Sequence, residues 1–198
     1  MPGKMDAAAI PTEPELTLDS PTLRATRGQS SFEPQILRAP PKVRLAGLAR
    51  ESAARCAIQP RVTHFHYQGD GPFISRELLA LLTLSYATRL FTLERIYEAL
   101  REEIVFQGLL STSLPHPSTA RAFRRLERPS LVSSMECFFE LFTGLLAREP
   151  GDPDQMRAWM GAVGLKSDAP LRSPLEVERM VVDRVNQATW TDKMLLDF

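Results

Sequence analysis

Cysteine is scarce in this chain. Cys56 and Cys137 are the only two in 198 residues, and neither belongs to a Cys-x-x-Cys motif or lies near a histidine cluster. Neither a disulfide framework nor a zinc site is indicated, and a reducing cytoplasm is the expected compartment. No sign of charge dominates either: 24 Lys and Arg offset 24 Asp and Glu, so net charge alone points to no class of partner. An apolar targeting core is missing from the N-terminus, and no window reads as long enough to span a bilayer. The longest apolar run, Leu78 to Leu84, is interrupted by Thr83 and suits a buried helix. These features predict an intracellular protein with no membrane partner. No serine sits in a nucleophile-elbow context, and His64 and His66, flanking Phe65, bring no further ligands. No catalytic residue, no metal site and no cofactor is therefore expected.

The apolar share is what remains, 43% of the residues, enough for one real core. Its distribution divides the chain. Residues 1–40 carry Pro2, Pro11, Pro14, Pro21, Pro34 and Pro40 without a sustained period and read as a disordered leader. Residues 41–72 read as a basic linker or a short helix: from Arg38 to Arg61 six basic residues face only Glu51. Residues 73–148 read as a helical domain. Leu78, Leu81, Leu82 and Ser85, with Ile74, repeat at helical spacing; Thr92 can cap a second helix with Leu93, Ile96, Tyr97 and Leu100 inward. Leu131, Met135, Phe138, Phe142 and Leu145 mark the best hydrophobic helix. Residues 149–198 read as a helical extension, with Asp152-Pro153-Asp154-Gln155 and Ser173-Pro174-Leu175-Glu176 as helix starts and Trp159 and Trp190 as pins to the domain or to a partner. No alternating strand pattern stands out, so the expected fold is all-α, a compact helical bundle.

One segment carries a chemical signal. Pro115, Pro117 and Ser118 announce a helix start and Pro129 its end; between them Arg121, Arg124, Arg125 and Arg128 recur at i, i+3, i+4 and i+7. That spacing predicts four guanidinium groups on one helix face, with Ala122, Phe123 and Leu126 docking the opposite face onto a core. Such a helix suits a polyanion. Preceded by the Leu93–Phe106 helix, it has the economy of a helix-turn-helix unit, in which one helix braces the next against DNA, although the Phe106–Pro117 connection is longer than the usual tight turn.

Three stretches in this order, Arg76 to Tyr86, Glu94 to Phe106, and Pro115-His116-Pro117-Ser118-Thr119-Ala120-Arg121-Ala122-Phe123-Arg124-Arg125, resemble the N-terminal domain of bacterial insertion-sequence transposases of the DDE type. The resemblance covers roughly residues 73 to 147. Family members show a Pro-Asp-His-Ser-Thr-Ile-x-x-Phe-Arg-Arg turn and helix; here His116-Pro117 replaces Asp-His. Ala87-Thr88-Arg89 stands where the family frequently has a glycine. The resemblance implies that Ser118, Thr119, Arg121, Arg124, Arg125 and Arg128 contact phosphates or bases of double-stranded DNA at an element end, arginines neutralising phosphate and hydroxyls fixing register. It also implies a catalytic domain with an acidic triad. About fifty residues follow the long helix here, without the expected Asp-Gly-Thr segment. The expectation is a non-catalytic, truncated or domesticated DNA-binding protein that pairs with itself or with a separately encoded catalytic subunit. The competing expectation is a helical interaction or oligomerisation module with no DNA role, using the 131–147 helix or the Trp-bearing C-terminal helices.

Overall fold

The computed structural model describes residues 41–56, 74–111, 115–148, 153–165 and 173–194. The expected leader, the His64/His66 pair and the rest of the 41–72 segment beyond Cys56 lie outside the described residues. Every described element is a helix, and no strand occurs among the described residues, so the chain is all-α as its periodicity predicts. The helices are α1 (Pro41–Arg55), α2 (Ser75–Ala87), α3 (Leu93–Glu102), α4 (Ile104–Gln107), α5 (Pro117–Leu126), α6 (Arg128–Arg148), α7 (Pro153–Ala162) and α8 (Pro174–Met194).

The basic segment after residue 40 is no linker where it is described. Pro41 takes a position where its missing N–H costs no helical bond, and Leu45, Ala49 and Ala53 follow at four-residue spacing, all fully buried. The small alanines let α1 lie against both α2 and α6. Where the three helices meet, Ser134 Oγ is 2.8 Å from Thr83 Oγ and 3.4 Å from Ser52 Oγ, and Ser52 also donates to Ala49 O at 2.9 Å. Three small hydroxyls satisfying one another let the helices approach without orphaned polar atoms.

Helix α6 is the centre of the core. Leu131, Met135, Phe138, Phe139 and Phe142 are buried; Phe138 meets Phe139 edge to face at 5.2 Å and stacks near-parallel with Phe142 at 6.4 Å. Contrary to the expectation from sequence, α6 is long and apolar enough to cross a bilayer by length and composition. Here its aromatic face is packed among α1, α2 and α8. The residues after 148 share that core: Phe142 stacks on Trp159 at 6.4 Å, the Arg44 guanidinium lies 4.5 Å from the centre of the same Trp159 ring, and Val163, Val181, Val185 and Ala188 are buried. What reads as an extension is part of one core. Helix α8 opens with a capping box, Ser173 N–H donating to Glu176 Oε2 and Glu176 N–H to Ser173 Oγ, each at 3.2 Å.

Two helix ends converge beside α8. Helix α2 ends with Leu90 N–H on Ser85 O (2.7 Å) and Arg89 N–H on Tyr86 O (3.2 Å), and α7 ends with Leu165 N–H on Met160 O (2.8 Å) and Gly164 N–H on Gly161 O (3.0 Å). Both are Schellman caps, which need a left-handed residue. Gly164 supplies φ +65° in one; Arg89 supplies φ 65° in the other. The Arg89 side chain crosses Gly164 so closely that an added Cβ there would lie 2.3 Å from Arg89 Cδ. Gly164→Ala is expected to lower stability by about 1–2 kcal/mol, from left-handed strain and displacement of Arg89, read as a lower urea midpoint at unchanged slope.

Candidate nucleic-acid interface

His116, not Ser118, caps α5. Its Nδ1 accepts from Ser118 N–H at 3.3 Å and lies 2.8 Å from Ser118 Oγ, and Pro117 occupies the first turn. Helix α5 packs on α6 and α8; α3, capped by Thr92 accepting from Arg95 N–H at 3.3 Å, reaches the segment just ahead of α5 through Tyr97 Oη, which donates to Pro115 O. The loop beyond α4 is tied down by Glu77, which accepts from Ser111 N–H (2.9 Å) and Ser111 Oγ (2.6 Å).

The four arginines do not share one face of one helix. The chain breaks at Glu127, which closes α5 and starts α6, accepting Leu131 N–H at 2.9 Å. Pro129 therefore sits in the first turn of α6, where a missing N–H is tolerated, instead of ending α5. Ser130 Oγ donates to Glu127 Oε2 at 2.9 Å and helps fix the corner. Arg128 belongs to α6, and its guanidinium donates to Asn186 Oδ1 of α8 at 2.7 Å.

Burial sorts the remaining candidates. Thr119, Ala120, Phe123 and Arg124 form the inward side of α5. Arg124 is only 2% exposed, and its Nη1 donates to Tyr86 Oη at 2.9 Å and Phe91 O at 3.1 Å. The expected roles of Thr119 and Arg124 as DNA contacts are thus corrected: both side chains are committed to the interior, Arg124 because a carbonyl and a phenol lie waiting on α2 and the loop after it. Leu126, expected inside, is 56% exposed, and Ile74 is 48% exposed at the cap of α2. On the accessible side are Ser118, half-buried; Arg121, whose Nη2 is 3.8 Å from Glu94 Oε1 of α3; Arg125, exposed; and Arg128 at the corner.

Arg128 stands in the first turn of α6, beside Arg121 and Arg125 of α5, and Arg148 in its last. Two to three turns beyond Arg128, Glu136, Glu140 and Glu178 line a groove with Thr143, Ser173, Pro174 and Val177, where α8 runs antiparallel to α6. Burial, and then the charges of Glu178 and Glu140, raise the Glu136 carboxyl above its ordinary value. A raised carboxylate disfavours the native state once it ionises, so this contribution is absent in acid and appears as pH rises through the carboxylate range. Glu136→Gln is expected to stabilise the protein by a few tenths of a kcal/mol at neutral pH, with the gain vanishing in thermal melts below about pH 4.

Sequence reasoning missed Arg184. This residue of α8 is 7% exposed; it donates to Tyr86 O (3.2 Å), Ala87 O (2.6 Å) and Val163 O (2.7 Å), and its guanidinium carbon lies 5.2 Å from the Phe139 ring centre. It holds the carboxyl ends of α2 and α7 together, where the helix dipoles favour a cation. Burial, and then the nearby charge of Arg89, lower it to about 10. The only hint in sequence was an arginine between Val181 and Val185 on an otherwise apolar stripe. Trp190, by contrast, is 62% exposed and pins nothing to the domain. Among the described residues no group of His, Cys, Asp or Glu side chains gathers in a metal-binding arrangement. Comparison with protein-family models, with curated proteins and with solved structures gives no match to this chain.

Proposed function

We propose that the chain is a DNA-binding protein of transposase type, in which α5 is presented to double-stranded DNA, braced by α3 in a helix-turn-helix-like arrangement. One observation carries the reading: the arginines left at the surface, Arg121, Arg125 and Arg128, collect within about two helical turns of one another, while Glu136, Glu140 and Glu178 collect elsewhere on the α6–α8 side. A duplex approaching the α5–α6 corner meets positive charge and is spared the acidic groove. Arg121, Arg125 and Arg128 neutralise phosphates, and Ser118 near the start of α5 fixes register. No residue is assigned a catalytic role; strand transfer is left to a separately encoded catalytic subunit, and the proposed setting is the cytoplasm.

The test is a titration of the full chain against labelled duplex DNA at several salt concentrations. Steep weakening with salt is expected. Retention that ignores salt, accompanied by a dimeric mass, would instead support the interaction-module reading, which the exposure of Trp190 (62%), Leu126 (56%) and Leu175 (54%) favours. A second arm uses the pair at the edge of the surface. Glu94 lies beside Arg121 and competes with phosphate for it. Glu94→Gln is expected to tighten DNA binding several-fold, about 1 kcal/mol or less for a pair whose carboxylate is exposed. Unchanged affinity would remove Arg121 from the interface.

A further inference from the structure

The two cysteines that look isolated in sequence meet at one seam of the fold. Cys56 follows the last residue of α1, and its buried thiol donates to Ser133 Oγ of α6 at 3.8 Å. Cys137 lies one turn further along α6, on the same side as Ser133, since residues four apart on a helix have neighbouring Cβ atoms about 5–6 Å apart. Cys137 is partly exposed whereas Cys56 is buried, and the charge of Arg55, which is paired with Glu51, acts on the Cys137 thiol. Burial pushes the Cys137 thiol up from its ordinary range, and the Arg55 charge opposes that push. Together these give a partly exposed thiol and a buried thiol on one seam between α1 and α6, which is the division of labour between an attacking and a resolving cysteine.

We propose that Cys56 and Cys137 form a redox clasp that closes as an intramolecular disulfide between α1 and α6 when the chain meets a low-molecular-weight disulfide such as oxidised glutathione. The Cys137 thiol loses its proton and attacks one sulfur of that disulfide, forming a mixed disulfide and releasing one thiol. Cys56 then loses its proton and attacks the Cys137 sulfur, expelling the second thiol. Two protein thiols are oxidised and one external disulfide is reduced to two thiols. Cys56 is the residue that follows α1, so the short shift along α6 that disulfide geometry requires falls on the end of that helix.

Intact-mass measurement of the folded full chain after incubation with oxidised glutathione tests this. The native sequence is expected to lose about 2 Da, reversibly with dithiothreitol, with no retained adduct. Cys56→Ser is expected to hold one glutathione, a gain of about 305 Da, on Cys137, and Cys137→Ser to stay unmodified. A native chain that keeps glutathione on Cys137, remains unmodified, or cross-links into dimers would overturn the proposal. The native-chain result decides alone if either variant folds poorly.

Discussion

Arg184→Ala is expected to cost about 3–5 kcal/mol of stability, the range for removing one partner from a buried charged network. The substitution removes the donor from the Ala87 and Val163 carbonyls, leaves Tyr86 O with only its Arg89 N–H bond, and opens a void beside Phe139. Each orphaned buried acceptor costs about 1–3 kcal/mol when no water reaches it. The three belong to two different helix ends, so the loss is expected to loosen α8 from α2 and α7 together. A chemical denaturation curve should show a lower midpoint, and hydrogen exchange should accelerate first in residues 84–90 and 160–165. Arg184→Lys is expected to recover only part of this, because one ammonium cannot span three carbonyls as a planar guanidinium does. The charge is retained through the neutral range. With the folded value at about 10 and the unfolded value higher, the unfolded chain binds the proton more tightly between them. Raising pH through that window therefore favours the folded state, and no pH dependence from Arg184 is expected between about pH 6 and 9.

The helices were legible because their signals are local. The leucines of α2, the Thr92 cap, the aromatic spacing of α6 and the Ser173–Glu176 box depend on residues three or four apart, and the structure places all of them as their spacing implies. The role of α1 was hidden by its own composition. Lys42, Arg44, Arg50 and Arg55 advertise a basic segment, while the burial of Leu45, Ala49 and Ala53 depends on partners on α2 and α6 that no local pattern reveals. Trp190 failed in the other direction: a tryptophan is expected to be covered, and its position on α8 turns it away from the described core.

The arginine segment shows the same limit in the candidate site. Spacing at i, i+3, i+4 and i+7 presumes one uninterrupted helix and says nothing of what lies beneath it. The break at Glu127 transfers Arg128 to α6, and the Tyr86 hydroxyl and Phe91 carbonyl draw Arg124 inside. A pair that sequence treats as equivalent, Arg124 and Arg125, therefore divides into a structural residue and a surface residue. Arg124→Ala should lower stability, while Arg125→Ala should leave it within about 0.5 kcal/mol, as for surface positions generally.

The second large effect follows from that division. Replacing Arg121, Arg125 and Arg128 together by Ala is expected to weaken duplex binding roughly 100-fold at low salt, about 1 kcal/mol for each arginine–phosphate pair. Stability should change little by comparison. Arg125 is exposed, the Arg121–Glu94 pair is long at 3.8 Å, and the Arg128 hydrogen bond to Asn186 is exposed. An effect on affinity with the fold intact is what separates a DNA-binding surface from a merely solvated one.

The most direct measurement is the salt dependence of duplex binding for the native chain and this triple variant, side by side, by fluorescence anisotropy. The slope of log affinity against log salt should be shallower in the variant by about 2–3, close to one for each arginine removed. Equal slopes and equal affinities in a variant shown to be folded would contradict the assignment of the α5–α6 corner as the DNA-binding surface.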